Sequence, residues 1–273
     1  MVNMGTVWDR TAEFLSDNIA ALTPVALLAF FVPASITGSL NNVAHGDNGE
    51  LALVVQLIVI ALSVVQLWGM LVVIALASEG GTPHDASRAA RRRLLPALAT
   101  TVLSWIAVML LFLPLILVVV LDREAMAALA QPGTPVALHV PAGWGWPLAI
   151  WCLVATGLTF WLVTRLALTT PVVLREERTL GAFARSFALT RGIAWQIFGV
   201  ILLFVLIAIV SVLAATLVFG SIFRLIAGDG DGMSLASVLT SVVSGVVQAA
   251  FTVLAAAFTA KLYMARVASQ GRP

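Results

Sequence analysis

Apolar positions run along the chain in six long blocks, and the short segments between the blocks carry nearly all of the charge. The blocks from Leu51 to Ser78 and from Leu94 to Leu121 contain no charged residue. Roughly 20 helical residues cross the ~30 Å of hydrocarbon in a bilayer, and backbone groups in lipid need hydrogen-bond partners within their own segment. We therefore predict six transmembrane helices, near residues 19–40, 51–78, 94–121, 147–174, 193–223 and 233–260.

Composition supports a single all-α integral membrane domain over residues 1–273. Hydrophobic residues make up 61% of the chain and charged residues 10%, whereas soluble domains have about 25% charged residues. The formal net charge is only +2, and the basic residues form short clusters beside the predicted spans. This distribution favours anionic lipid over nucleic acid as the partner of the basic residues. Cys152 is the single cysteine, so an intramolecular disulfide is excluded.

The Lys and Arg residues divide unevenly between the two sides of the predicted membrane domain. With the N-terminus inside, twelve of the fifteen lie on the inner side, Arg123 and Arg224 lie on the outer side, and Arg165 falls within a span. Basic residues accumulate in cytoplasmic loops. We therefore expect both termini to be cytoplasmic.

Three segments that precede odd-numbered spans are alike in pattern. They are residues 7–15, 85–95 and 180–191, and each has helical propensity with charge on one side and apolar or small residues on the other. Helices of this kind lie flat at a membrane interface with their arginines toward headgroups. The pattern predicts short amphipathic cytoplasmic helices, and it suggests three repeats of an interfacial helix followed by a transmembrane hairpin.

Arg165 is the only charged residue placed well inside a span. A charge at the bilayer centre costs at least ~2.5–3.5 kcal/mol, so this side chain needs a partner or a route to the headgroups. One interpretation is a ligand for an anion or lipid headgroup; the other is snorkelling, with Trp161 as a cation–π partner. Arg88, Arg92, Arg185 and Arg191 would extend an anionic-lipid surface from Arg165 along the cytoplasmic face, unless they serve only to fix topology.

The last predicted span carries small residues at four-residue spacing: Ser237, Ser241, Gly245 and Ala249. Small residues on one helical face allow close approach of another backbone. Internal packing is the first interpretation of this face, and homodimerisation is the alternative.

Motifs for chemistry are missing from the sequence. The three histidines are isolated, and the Gly228–Gly232 segment lacks most ligands of a calcium loop. There is no phosphate-binding loop and no nucleophile elbow. No Asp, Glu, Lys or His lies in mid-membrane, which argues against a proton-coupled transporter. We expect no metal, no cofactor and no enzymatic activity.

The segment from Arg165 to Glu176, together with Ala182 to Gly192, resembles the membrane domain of glycerophosphodiester phosphodiesterases and its stand-alone YciC-like relatives. The family pattern has an Arg, a Pro, an apolar run and a Glu, followed by an Arg-Ser-x-x-Leu-Thr-x-Gly element. The matching positions are Arg165, Pro171, Glu176, Arg185, Ser186, Leu189, Thr190 and Gly192. The resemblance covers about thirty residues and implies a multi-span protein of the bacterial inner membrane. Because the chain ends at Pro273, we expect no catalytic barrel.

Three functions follow as hypotheses. The first is a non-enzymatic membrane protein that binds lipid or a membrane partner and supports envelope integrity. The second is a transporter or exporter of an anionic or amphipathic solute, for which Arg165 and the proline-bent spans are the support. The third, a membrane-embedded enzyme, would need clustered carboxylate, His or Ser side chains, and the sequence does not provide them.

Overall fold

The computed structural model describes residues 3–44, 49–79, 81–129, 143–227 and 235–270. Every regular element in these ranges is helical. Six helical segments in them are long and apolar enough to cross a membrane. The protein is therefore an all-α, multi-span membrane protein, as the hydropathy pattern predicted.

The described residues form twelve α-helices and one π-helical segment. Their bounds are α1 Met4–Asp17, α2 Ile19–Val25, a π-helical segment Ala26–Phe31, α3 Val32–Ala44, α4 Gly49–Glu79, α5 Pro83–Leu111, α6 Leu113–Leu121, α7 Arg123–Leu129, α8 Gly145–Leu166, α9 Thr169–Arg175, α10 Gly181–Thr190, α11 Ala194–Ala227 and α12 Leu235–Gln270. The predicted outer loops at 45–48, 130–142 and 228–234, including the glycine-rich Gly228–Gly232 segment, lie outside the described residues.

The first span is one continuous helical segment with a wider, π-helical turn in its middle. Pro24 lies inside α2, and Pro33 follows the π-helical segment, where the Val32 N–H donates to the Leu27 carbonyl five residues back. Proline removes a backbone donor and disturbs the regular hydrogen-bond ladder. The widened turn brings Ala29 so close to Gly69 of α4 that a Cβ at position 69 would collide with the Ala29 side chain.

The third span differs from its predicted limits of 94–121. A single helix, α5, begins at Pro83, where the Thr82 side chain accepts a hydrogen bond from the Asp85 N–H. The helix stops at Phe112, whose backbone leaves the helical region, and α6 begins again with Pro114 in its first turn. Proline is well tolerated at that position and poorly tolerated deeper in a helix.

The second predicted amphipathic segment, residues 85–95, is consequently not a separate interfacial helix. It forms the first turns of α5. Its small residues Ala86 and Ala90 are buried, as is Ala97 further along α5. Close packing of this small-residue face against the bundle is the physical reason for the difference. The segments at 7–15 and 180–191 correspond to the separate helices α1 and α10.

Helix α12 occupies the centre of the bundle. It contacts α1, α3, the π-helical segment, α4, α9, α10 and α11. Small residues on its surface, Ala256, Ala257 and Ala260, are fully buried, and so is the run from Leu71 to Ala77 of α4. The core of the protein therefore lies where α4, α9 and α12 meet.

The small-residue face of α12 is used inside the molecule. A Cβ on Gly38 of α3 would lie 3.2 Å from the Ser241 hydroxyl, and a Cβ on Gly245 would lie 2.6 Å from the Ser35 hydroxyl. The two helices approach closely because glycine and serine leave room for the facing backbone. Internal packing is thus the role of this face at Ser241 and Gly245; the Ser237 side chain lies outside the described residues.

The charged segments gather at one end of the bundle. There Arg93 of α5 pairs with Glu177, and Arg185 of α10 donates to Gln270 at the end of α12. Lys261 donates to the Ala77 carbonyl at the end of α4 at 2.9 Å. We call this end the basic face; its basic residues are Arg88, Arg92, Arg93, Arg185, Arg191 and Lys261. Helix α12 reaches this end and continues to Gln270, ten residues past its predicted limit.

Candidate functional site

The site begins at a break in the fourth span. Helix α8 ends at Leu166, Leu168 has φ −99° and ψ 5°, and α9 starts at Thr169. Pro171 in α9 has no N–H to offer the Ala167 carbonyl. The break also leaves the Arg165 carbonyl free to accept a hydrogen bond from the Ser186 hydroxyl of α10, at 2.6 Å. Ser186 thereby fastens α10 across the end of α8.

Helix α10 is held in place at its own C-terminus as well. The Thr190 hydroxyl donates to the Ser186 carbonyl at 2.9 Å, and both side chains are buried. Gly192 follows with φ +85°, a left-handed conformation that favours glycine. Arg266 of α12 donates to the carbonyls of Leu189 and Arg191 at 2.7 and 3.0 Å. Arg266 thus satisfies carbonyls that a helix end otherwise leaves unpaired.

Glu176 is the electrostatic centre of this junction. Arg185 donates through Nε to both carboxylate oxygens, at 2.9 and 3.1 Å. The Tyr263 hydroxyl donates to Oε1 at 3.2 Å, and Arg178 Nε lies 3.6 Å from Oε2. The Glu176 side chain is 19% exposed, so this network ties α9, α10 and α12 together in a partly desolvated setting. Arg185 is therefore engaged in a structural ion pair with Glu176.

Arg165 differs from Arg185 in its surroundings. Its Nη1 donates to the Phe187 carbonyl at 3.4 Å, and its guanidinium carbon lies 5.5 Å from the Trp161 ring centre and 5.9 Å from that of Phe187. Its Nε is buried and has no hydrogen-bond partner among the described residues. The ion pairs in the described part of the chain do not include Arg165. The cation is stabilised by aromatic faces, and no carboxylate among the described residues neutralises it.

A groove of about 560 Å³ extends from Arg165 between α8 and α11. We call it the aromatic groove; its lining is Gly157, Phe160, Trp161, Thr164, Arg165, Gly192, Ala194, Trp195 and Phe198. Phe198 meets Phe160 edge to face at 6.0 Å and Trp195 at 5.7 Å between ring centres. Trp195 is 84% exposed. The groove is therefore apolar along its length, cationic at one end and open on its outer side.

The structure brings most of the predicted residues together. Arg165 and Gly192 line the aromatic groove, and α10 is fixed beside it through Ser186 and Thr190. Pro171 is buried at the helix break. Glu176 and Arg185 lie in the adjacent network.

The other predicted arginines lie elsewhere. Arg88 and Arg92 are exposed on α5 and do not line the groove. Arg191 is exposed beside Gly192, and its carbonyl accepts from Arg266. They form an exposed part of the basic face.

Several residues of the site were not predicted. Phe198 lies three positions after Trp195, so helical spacing puts both on one face of α11, and this aromatic pair was the available signal. Tyr263 and Gln270 reach the junction from α12. No local pattern links them to Glu176 or Arg185, because the contacts span more than eighty residues of sequence.

Comparison of the chain with protein-family models, with curated proteins and with solved structures finds no match. The resemblance to the membrane domain of glycerophosphodiester phosphodiesterases stays a prediction. The motif positions now have a structural description of their own, since they build the α8–α9–α10 junction and one end of the aromatic groove.

Proposed function

We propose that the protein is a non-enzymatic lipid-binding protein of the bacterial inner membrane, with cytoplasmic termini and a role in envelope integrity. In this proposal the aromatic groove holds an anionic lipid, with the phosphate at Arg165 and an acyl chain along Phe160, Trp195 and Phe198. The observation that carries the proposal is the Arg165 guanidinium, which has aromatic and carbonyl contacts but no carboxylate partner among the described residues.

The electrostatics favour an anion at that position. A partly buried cation without a counter-ion gains from any negative charge placed near it, because the local dielectric is lower than that of water. Phosphate also accepts from several guanidinium N–H groups at once. A lipid supplies this phosphate together with hydrocarbon that suits the apolar wall of the groove.

The rest of the basic face supports the same partner. Arg88, Arg92 and Arg191 are exposed, and each basic residue close to an anionic leaflet contributes about 1 kcal/mol of attraction. We assign them general attraction to the surface and Arg165 the specific contact. The orientation with the basic face in the cytoplasm is part of the proposal and agrees with the distribution of arginine and lysine along the chain.

The test uses purified protein and two lipids of equal chain length, dioleoylphosphatidylglycerol and dioleoylphosphatidylcholine. The melting temperature of the wild-type protein should rise more with phosphatidylglycerol. Arg165→Gln should abolish that difference, whereas Arg88→Gln, at an exposed arginine outside the groove, should retain most of it. An undiminished phosphatidylglycerol effect in the Arg165→Gln protein would refute the proposal.

A transporter or exporter of an anionic or amphipathic solute is the second candidate. The observation in its favour is that three spans carry interruptions at which a helix can bend, at 26–31, at Phe112 and at 167–168. Reconstituted vesicles distinguish the two functions. Movement of a fluorescent phosphatidylglycerol analogue between leaflets that depends on Arg165 would favour transport, and binding without movement would favour the first proposal.

A further inference from the structure

A second groove lies on the other side of α8 and contains no charged residue. Its volume is about 500 Å³, and it is bounded by α4, α5, α8, α9, α11 and α12. Hydroxyl side chains from four of these helices line it: Thr100, Thr101, Ser104, Thr159, Thr169, Thr170 and Thr259. We call it the hydroxyl groove. Its neutral lining separates it from the aromatic groove and from the proposed anionic ligand.

Most of these hydroxyls donate their proton to a backbone carbonyl of their own helix. Thr101 donates to the Ala97 carbonyl, Ser104 to the Thr100 carbonyl and Thr159 to the Ala155 carbonyl, each at 2.8 Å. Thr100 and Thr259 likewise donate to carbonyls of their own helices, at 2.9 Å. A hydroxyl in this arrangement retains lone pairs and can only accept. The groove thus presents a set of acceptors.

Among the buried hydroxyls of the groove, Thr169 is the exception. It is 6% exposed, and its Oγ1 has no hydrogen-bond partner among the described residues. A buried hydroxyl without a partner is unfavourable, and native proteins rarely retain one without a reason. Thr169 lies directly after the α8–α9 break. Ala167, whose carbonyl receives no N–H from Pro171, lines the same groove.

The ligand must therefore both donate and accept. A ligand hydroxyl does so: its proton can go to a lone pair in the groove or to the Ala167 carbonyl, and its oxygen can accept from Thr169. The absence of charge from the lining disfavours phosphate and ammonium groups. The remaining wall is apolar and includes Met70, Trp105 and Leu162, which suits hydrocarbon chains.

We propose that the hydroxyl groove binds a neutral lipid alcohol of the diacylglycerol type, with its free hydroxyl against Thr169. This site is additional to the anionic-lipid site at Arg165 and does not depend on it. The two sites lie on different faces of α8, since Thr159 and Leu162 line one groove while Phe160 and Trp161 line the other.

The probe is dioleoylglycerol, and its matched control is the same molecule acetylated on the free hydroxyl. The melting temperature of the purified wild-type protein should rise with the alcohol and not with the acetate. Thr169→Val keeps the shape of the side chain and removes the hydroxyl, and we expect it to weaken binding of the alcohol about five- to tenfold. Without ligand this variant should melt at the wild-type temperature or above it, because it removes an unpartnered buried hydroxyl.

Thr156→Val, on α8, is the control variant, because Thr156 is exposed, lies outside the groove lining and donates to the Cys152 carbonyl. It should respond to dioleoylglycerol like the wild type. Arg165→Gln should also keep the response, which separates this proposal from the anionic-lipid site. Equal stabilisation by alcohol and acetate, or an unchanged alcohol response in Thr169→Val, would overturn the proposal. So would a Thr169-dependent stabilisation by sodium chloride alone, since it would indicate a cation site.

Discussion

Helices α4 and α11 are both strongly apolar, yet they occupy opposite environments. In the most apolar stretch of α11 the mean hydropathy is 3.2, and 6% of the residues are buried inside the protein. In the corresponding stretch of α4 the mean hydropathy is 2.7, and 28% of the residues are buried. In α4 the whole run from Leu71 to Ala77 is buried, while Leu203 and Leu217 of α11 are largely exposed. The more hydrophobic helix is therefore the one that protein covers less.

Lipid as a solvent explains the contrast. Hydrocarbon tails are as apolar as leucine, so hydrophobicity does not drive one span against another. Close packing and hydrogen bonds decide which spans meet. Helix α4 contacts the first span at Gly69, its Ala77 carbonyl accepts from Lys261, and it packs against α12. Along its lipid-facing side, α11 offers long aliphatic side chains, which lipid accommodates equally well.

The largest expected effect comes from truncating one leucine in each helix. Leu71→Ala removes a fully buried side chain and should cost about 2–5 kcal/mol of unfolding free energy through the cavity it leaves. Leu203 is 58% exposed, so Leu203→Ala should change stability by about 0.5 kcal/mol at most. Denaturation in mixed micelles with increasing dodecyl sulfate measures both. Equal losses would invalidate the comparison.

The same contrast between α4 and α11 can be tested by adding a methyl group to one glycine in each helix. Gly69→Ala forces a methyl group against Ala29, and overpacking of this kind costs about 1–3 kcal/mol. A Cβ on Gly199 of α11 meets no atom within 4 Å, so Gly199→Ala should stabilise its helix by about 0.5–1 kcal/mol. Thermal unfolding in detergent should move in opposite directions for the two variants. A loss of stability in both would place α11 in a packed interface.

Hydroxyl removal tests the junction beside the core. Ser186→Ala leaves the Arg165 carbonyl without its donor, and we expect a loss of about 1–1.5 kcal/mol. The control is Thr216→Val on α11, where the hydroxyl donates to Val212 of its own helix, and its effect should be close to zero. The same thermal assay applies. If the two variants behave alike, the Ser186 contact does not hold α10 in place.

The smallest effect concerns the exposed pair of Arg93 and Glu177. Hydrogen bonding to Arg93 holds the pKa of the Glu177 carboxyl below its ordinary value. The stabilisation is present above the pKa of the unfolded state and is lost as pH falls through the lowered pKa of the folded state. Glu177→Gln should melt slightly below the wild type at pH 7, and the difference should vanish in acid. A difference that persists in acid would show that charge is not its cause.

Hydropathy alone predicted the six spans, because length and lack of charge are properties of each segment by itself. The prolines in the sequence indicated bends in spans one, three and four, and Pro24, Pro114 and Pro171 lie near the interruptions in the structure. Which spans would be most buried could not be predicted, since this depends on which small residues, distant in sequence, face one another in the fold. Gly69 against Ala29 and Gly245 against Ser35 are pairings that only the folded chain brings together.

The candidate site was also predictable only in part. Arg165 stood out because a charge within a span is costly, and the family resemblance pointed to the residues that surround it. Whether Arg165 has a carboxylate partner could not be read from the sequence, because Glu176 and Glu177 lie within fifteen positions and were equally available. The structure directs Glu176 to Arg185 and Tyr263. The unpartnered hydroxyl of Thr169 was equally hidden, since most threonines in helices bond to their own backbone.

The central position of α12 has a consequence for biosynthesis. Helix α12 follows the other described helices in the chain, so its partners α1, α3, α4, α9, α10 and α11 are synthesised before it. Until it arrives, the Ala77 carbonyl lacks Lys261, the Glu176 carboxylate lacks Tyr263, and the end of α10 lacks Arg266. A nascent chain halted before residue 235 therefore displays several unsatisfied polar groups near the bilayer surface. These unsatisfied groups would allow membrane proteases to recognise the incomplete protein, and insertion of the sixth span satisfies them.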